Sequence, residues 1–287
     1  MRLDHDSIER LIAGVEAAGR EIMTIYRREF AVEQKADDSP LTEADMAAHH
    51  ALLELLERET PDIPVLSEES SEIPFATRRG WSRYWLVDPL DGTREFIAGN
   101  GEFTLNLALV EAGVPVFGIV HAPAQTEGVV TWRGQVGEGA FRREGAGKNH
   151  HEWPISVREL PDPDSEPWQV VGSRRNGMQA FEIFCQALPA HTTQSVGSSL
   201  KFCQIAEGKA DLYPRLAPTC EWDTAAAQAI VTAAGGQVLE AETLLPLRCN
   251  QQQSLLNPSF IACGQRDARW ERALAKALEV DPYGNTS

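Results

Sequence analysis

Two aspartates three residues apart, Asp88 and Asp91, close the run Tyr84-Trp85-Leu86-Val87-Asp88-Pro89-Leu90-Asp91-Gly92-Thr93. Residues 84–87 are apolar, aromatic and β-branched, the composition of a short buried strand. Pro89 cannot donate to a central ladder, so the strand is expected to stop between the two acids. Gly92 permits a tight turn, and the backbone N–H groups of Gly92 and Thr93 open the next segment. Carboxylates at the C-terminal end of a strand, followed by free amides, suit a hard cation and a phosphate together. Asp, Pro and Gly are also ordinary turn residues. Against that plainer reading, average residue usage makes a chance match to Asp-Pro-x-Asp-Gly-Ser/Thr on the order of 10⁻³ or less in a chain this long.

Further acids sit at element ends. Glu68 and Glu69 follow the apolar run 63–66, and Asp223 lies in Glu221-Trp222-Asp223-Thr224-Ala225-Ala226. At a helix start the plain role of Asp223 is a cap or a partner for the helix dipole. The small residues after it also allow close packing, which would bring this acid up to Asp88 and Asp91. In one cleft, Glu68, Asp88, Asp91 and Asp223 would be too many carboxylates to stay ionised without cations. Mg²⁺ takes oxygen ligands and keeps waters for substrate phosphates. Two such ions about 3.5–4 Å apart would clamp the attacking and leaving oxygens of an in-line phosphoryl displacement.

The elements that must position these acids follow from periodicity. Ile8, Leu11, Ile12, Val15, Ile22 and Ile25 form a helical stripe over residues 6–29. After the polar break 35–40, Thr42 opens a second helix with an apolar face of Ala48, Leu52, Leu55 and Leu56. Thr42 and Asp45 resemble a capping box, which is the plain role of Asp45. Residues 63–66 read as a strand delivering Glu68 and Glu69. Phe103, Leu105, Leu107 and Leu109 alternate with Thr104, Asn106 and Ala108, Glu111-Ala112-Gly113 turns the chain, and 114–120 returns as a hairpin. Strands at 129–132 and 139–141 complete an antiparallel-looking sheet. The Pro-rich, acidic stretch 153–167 reads as a surface connection. Beyond it, strands at 168–171, 192–196, 210–213 and 259–263 alternate with helices at 178–188, 199–207, 222–234 and 267–278, before a frayed tail from 281. The expected fold is α/β (α+β layered), with residues 1–152 carrying most of the acids and 153–287 completing the site between the two halves.

Composition narrows the function. The chain has 287 residues, 43% hydrophobic and 24% charged, as a soluble globular protein does. Its formal net charge of −16 argues against duplex nucleic acid as the main partner. A small polyanion stays open, because divalent cations in an acidic site reverse the local field. Met1-Arg2-Leu3-Asp4-His5-Asp6 lacks the apolar core of a signal peptide, and no apolar run approaches the roughly 18 residues of a transmembrane segment. Five widely spaced cysteines without a Cys-x-x-Cys pair suggest neither a disulfide framework nor a zinc site. A cytoplasmic location is expected, with peripheral association at the inner face of the cell membrane left open. His49-His50 and His150-His151 are tempting metal pairs, but adjacent helical residues point apart, so both are read as surface.

The motifs resemble the inositol monophosphatase superfamily of Mg²⁺-dependent, lithium-sensitive phosphatases. The resemblance is carried by Leu66-Ser67-Glu68-Glu69, by residues 85–93 and by Trp222-Asp223-Thr224-Ala225-Ala226 with Ala234-Gly235-Gly236, and it runs from about 35 to 260. Within that superfamily the chain is most similar to the bacterial 3'(2'),5'-bisphosphate nucleotidases. Arg94-Glu95-Phe96-Ile97, residues 100–104, Gly197-Ser198-Ser199-Leu200-Lys201-Phe202-Cys203, Ala206-Glu207-Gly208 and residues 211–215 carry that nearer likeness. The resemblance implies a sandwich of alternating helical and sheet layers. It implies Glu68, Asp88, the Leu90 carbonyl, Asp91 and Asp223 as ligands of two or three Mg²⁺ ions, with Asp45 near a further ion or its water. Thr93 would orient the attacking water with Asp45 or Glu69 as its acidic partner, and the amides of Gly92 and Thr93 would bind the scissile phosphate. Ser199, Lys201 and Arg215 fall where such enzymes hold the second phosphate and the nucleoside. A solvated helix face and a strand end are the plainer roles of Lys201 and Arg215, although a bisphosphate needs fixed cations besides the metals. Two departures stand out: Ser173-Arg174-Arg175-Asn176 replaces a serine-arginine-x-histidine loop, and Ala98 replaces a basic or polar residue.

The implied reaction is hydrolysis of the 3'-phosphate of adenosine 3',5'-bisphosphate to AMP and phosphate, with 3'-phosphoadenylyl sulfate as a second substrate. An inositol or sugar monophosphatase is the alternative within the superfamily. A metal- and nucleotide-binding sensor is the alternative of another class, and it would not need a water-positioning pair such as Thr93 and Asp45.

Overall fold

The computed structural model describes residues 2–28, 32–34, 40–173 and 178–279. Helix α1 (His5–Tyr26) starts where the Asp4 side chain accepts the Ser7 N–H, and its apolar stripe is buried as the periodicity requires. The short strands β1 (Val32–Gln34) and β2 (Pro40–Thr42) pair with each other. Helix α2 (Glu43–Glu59) begins with a complete capping box, the Asp45 carboxylate accepting the Thr42 N–H at 2.7 Å. Strand β3 (Val65–Ser67) then leads into a 3₁₀ turn, Glu68–Ser70.

A short helix that periodicity does not announce, α3 (Phe75–Arg78), precedes β4 (Arg83–Asp91). The expected end of this strand is corrected: β4 runs on through Pro89 to Asp91. Its ladder with β5 skips from Asp88↔Asn106 to Asp91↔Thr104, so Pro89 sits in an irregularity where no N–H is required. After α4 (Thr93–Ala98) come β5 (Thr104–Glu111), β6 (Val114–Gln125), β7 (Gly128–Gln135), β8 (Gly139–Ala146) and β9 (Asn149–Ile155). The sheet order is β3-β4-β5-β6-β7-β8-β9, with β3 parallel to β4 and every other pair antiparallel. β9 enters the start of the expected surface connection, and its Pro154 is tolerated because the strand lies at the sheet edge.

The second half holds β10 (Trp168–Gly172), α5 (Met178–Gln186), β11 (His191–Ser195), α6 (Leu200–Ala206), β12 (Leu212–Arg215) and α7 (Glu221–Ala233). It ends with β13 (Gln237–Glu240), β14 (Phe260–Cys263) and α8 (Ala268–Leu278). Alternation of strands and helices holds only in part. β10 is parallel to β11 and β12, but β14 pairs antiparallel with both β12 and β13.

Three apolar clusters hold five layers together, the central one spanning two of the four interfaces. One lies between α1, α2 and a face of the large sheet; the central one joins the other face to α6, α7 and the second sheet; the third packs that sheet on α5 and α8. The central cluster draws residues from both sides of 152/153, so the core is continuous across the two halves. Within it, backbone meets backbone at two glycines. A Cβ at Gly118 of β6 would stand 2.0 Å from the Ala226 carbonyl oxygen, and one at Gly134 of β7 2.7 Å from the Ile230 Cα. Two strand glycines and an alanine-rich helix therefore let α7 lie directly on the sheet. That contact carries Asp223 to the end of β4. No helix among the described residues is long and apolar enough to cross a membrane.

Candidate active site

Asp88, Asp91 and Asp223 each offer a carboxylate oxygen, and these atoms all lie within 4.8 Å of one another. The bulge after Asp88 lets both acids of β4 face one place, and the Asp88 carboxylate accepts the Leu90 N–H at 3.1 Å. Asp223 sits three residues into α7, where one oxygen accepts the Cys220 N–H at 2.8 Å. It thus fills the plain capping role while it also belongs to the cluster. Burial, then the charges of Glu68, Asp91 and Asp223, raises the Asp88 carboxyl well above its ordinary range. Burial and the charges of Asp91 and Glu68 do the same to Asp223. Asp91 is raised by burial and eased by Lys201, Ser199 and Asn106. Glu68, in the 3₁₀ turn, lies close enough for its charge to act on both Asp88 and Asp223. Crowded, desolvated carboxylates that repel one another fit a divalent cation, whose charge would restore them to the ionised form. An all-oxygen donor set suits Mg²⁺.

Beside the carboxylates, Gly92 turns the chain at φ 90°, with neither a cap bond nor room to spare: a Cβ there would meet the Glu102 carbonyl oxygen at 3.1 Å. The Thr93 hydroxyl lies 3.2 Å from Asp45 Oδ1 and 3.2 Å from the Leu90 carbonyl oxygen. Its single proton serves one of them at a time. Asp45 is divided by atom: Oδ2 closes the α2 cap and Oδ1 faces Thr93. Glu69 lies in the same turn as Glu68, close enough to His49 to act on its charge.

A cleft opens from Asp91, Gly92 and Asp223 towards Arg94, Ser173, Ser198, Lys201 and Arg215. Neither Lys201 nor Arg215 is on a solvated face. Lys201 Nζ donates to the carbonyls of Val196 (3.1 Å) and Ser198 (2.6 Å), and burial draws its pKa down to about 8 against the opposing pull of Asp91. Arg215 donates to the carbonyls of Ala217 and Pro218 and to the Ser173 hydroxyl. Ser199 is buried, its hydroxyl 3.0 Å from Asp91 Oδ2 and 2.8 Å from the Asp223 carbonyl. It ties β4 to the start of α7. Of the unusual 173–176 loop only Ser173 is among the described residues; Arg174, Arg175 and Asn176 lie outside them.

The profile of the inositol monophosphatase family matches residues 5–279. The chain belongs to that family. A curated relative from Salmonella typhimurium, named 3'(2'),5'-bisphosphate nucleotidase CysQ, is 46% identical over 255 residues, 88% of this chain and 98% of its own. One of the same name from Escherichia coli is 45% identical over 245 residues, 85% of this chain and 94% of its own. The crystal structure of CysQ from Bacteroides thetaiotaomicron superposes with a TM-score of 0.77 at 38% identity, covering 91% of this chain and 98% of that one. An IMPase from Thermotoga maritima shares the fold at a TM-score of 0.75 and 24% identity, covering 96% of this chain and 98% of that one. The expected layered sandwich is the fold these inositol monophosphatase structures share.

Several further residues around the carboxylates are not among the site residues that the sequence singles out. Asn106 is buried on β5, its amide 2.9 Å from Ser199 Oγ and 3.4 Å from Asp91 Oδ2. Its signal is a polar residue among alternating apolar ones, which reads as a solvent-facing position unless a second layer covers the sheet. Ser198 has a left-handed backbone (φ 41°) and a buried hydroxyl without a partner. His49 corrects the surface reading of the first histidine pair: it is buried, with Nδ1 2.9 Å from Ser67 Oγ, just before Glu68. Burial lowers its pKa, and the charge of His50 adds to that. His150 and His151 are exposed as expected, but on edge strand β9 rather than a helix.

Proposed function

We propose that this chain is a Mg²⁺-dependent 3'(2'),5'-bisphosphate nucleotidase that removes the 3'-phosphate of adenosine 3',5'-bisphosphate, giving AMP and phosphate. The observation that carries the reading is the convergence of Asp88, Asp91 and Asp223, the last two of which line a cleft with Lys201 and Arg215. The nucleotidase relatives, at 45–46% identity over most of the chain, support the substrate class. 3'-Phosphoadenylyl sulfate presents the same 3'-phosphate and is a second substrate on this reading. Five free thiols among the described residues suit a cytoplasmic location.

Glu68, Asp88, the Leu90 carbonyl, Asp91 and Asp223 would hold two or three ions. When bound there, Mg²⁺ supplies charge neutralisation and a more acidic water for an in-line phosphoryl displacement. The protein's own part is orientation and proton handling. Thr93 Oγ1 and Asp45 Oδ1 form the pair that aligns the attacking water and takes its proton, and their contact favours Asp45 over Glu69 in this role. Gly92 and Thr93 present backbone N–H groups to the scissile phosphate. Ser199 and Asn106 fix Asp91, while Lys201 and Arg215 carry positive charge to the second phosphate and hold the carbonyls that shape the cleft. Phosphate release from a panel of bisphosphate nucleotides, inositol phosphates and fructose 1,6-bisphosphate tests the proposal. Preference for a 3',5'-bisphosphate supports it, and preference for an inositol phosphate overturns it.

A further inference from the structure

Behind the carboxylates lies a buried group that neither the family motifs nor the cleft includes. Arg78, the last residue of α3, is buried, its guanidinium 4.9 Å from the centre of the Phe75 ring. It donates to Asn250 Oδ1 and to the carbonyls of Gln252 and Gln253, and its own carbonyl accepts from Asn250 Nδ2 at 2.7 Å. Asn250, held at φ 57°, gives its backbone N–H to both carboxylate oxygens of Glu221, at 2.9 Å each. Glu221 is buried, is the first residue of α7 and stands two residues before Asp223. The same strap closes around that helix end: the Glu221 N–H donates to the Leu255 carbonyl, and Asn257 Nδ2 to the Cys220 carbonyl.

The glycines of β6 and β7 set how close α7 comes to the sheet. They do not set the position of its first turn along the axis, and Asp223 is in that turn. We propose that Arg78, acting through Asn250 and Glu221, is a positioning residue that holds Asp223 in register with Asp88 and Asp91 for the metal. This rests on the reading of Asp223 as a Mg²⁺ ligand. Arg78 touches neither the carboxylates nor the cleft, so its effect falls on ion affinity and leaves substrate affinity alone. Residues that orient metal ligands from outside typically change metal affinity by 10–100-fold when lost.

Two variants isolate the relay. Arg78→Lys keeps the charge but lacks a planar fork to hold an amide oxygen and two carbonyls together. Asn250→Gly keeps the left-handed backbone and the N–H to Glu221, and deletes only the amide that meets Arg78. Mg²⁺ affinity is measured by calorimetry, alongside half-saturating Mg²⁺ and KM in phosphate release and Tm without metal. The expected result is Mg²⁺ affinity weakened on the order of tenfold in both, KM within twofold at saturating Mg²⁺, and turnover recovered with excess Mg²⁺. Wild-type Mg²⁺ affinity in the folded variants, or a shift in KM alone, overturns the relay. Should Arg78→Lys fail to fold, Asn250→Gly decides. Asp223→Asn is the control: if it too leaves Mg²⁺ affinity unchanged, the metal assignment of Asp223 fails first and the relay with it.

Discussion

Replacing Thr93 separates chemistry from scaffold. Thr93→Val keeps the volume and branching of the side chain and removes the hydroxyl that lies 3.2 Å from Asp45 Oδ1 and from the Leu90 carbonyl. That hydroxyl caps nothing: Thr93 is the first residue of α4, and the N-cap is Gly92. Its loss should cost about 1 kcal/mol of stability, the net worth of one ordinary hydrogen bond, and lower Tm by about 2 °C in a chain of this size. If the hydroxyl aligns the attacking water, kcat should fall about 10²-fold, which is about 2.7 kcal/mol of transition-state stabilisation. The rate effect thus exceeds the stability effect by a margin that thermal unfolding and steady-state phosphate release resolve together. Thr93→Ser, which restores the oxygen, should recover most of the rate. A kcat for Thr93→Val within threefold of wild type at saturating Mg²⁺ would refute the water-positioning role.

Asp91→Asn should abolish Mg²⁺-dependent turnover while the fold survives, because Ser199 and Asn106 can still bond an amide; near-normal activity would remove Asp91 from the metal site. Lys201→Met or Arg215→Met should raise KM for a 3',5'-bisphosphate by roughly tenfold or more, the worth of a charged hydrogen bond, and change hydrolysis of a simple monophosphate little. Equal losses on both substrates would mean that these cations serve only the carbonyls they hold. Burial, helped by the charge of Arg20, holds the pKa of His121 down to about 3, below its ordinary 6.5. The unfolded chain therefore binds the extra proton between those values, and stability falls as pH drops from about 6.5 towards 3. By pH 5 that loss is about 2 kcal/mol. Denaturant midpoints at pH 7 and 5 should show a smaller drop in His121→Gln, and an equal drop would exclude His121 as the cause.

Much of the site was legible because its signals are local. Asp88-Pro89-Leu90-Asp91-Gly92-Thr93 carries its own turn chemistry, and Thr42 with Asp45 carries its own cap, so both could be read without knowing what lies opposite. The helices α1, α2, α7 and α8 announced themselves by periodicity and stop signals, which depend only on neighbours in the chain. What escaped depends on partners far away in sequence. Asn106 and His49 look like surface residues until a second layer covers them, and α3 and β13 are too short to carry a period. Pro89 argued for a strand end, and the bulge opposite β5 made that argument unnecessary. The distance from Asp91 to Asp223 was set by none of the motifs. It was set by the close approach of α7 to the glycines of β6 and β7 together with the bonds that hold its first turn, among them Ser199 between Asp91 and the Asp223 carbonyl, which only a packed structure can bring together.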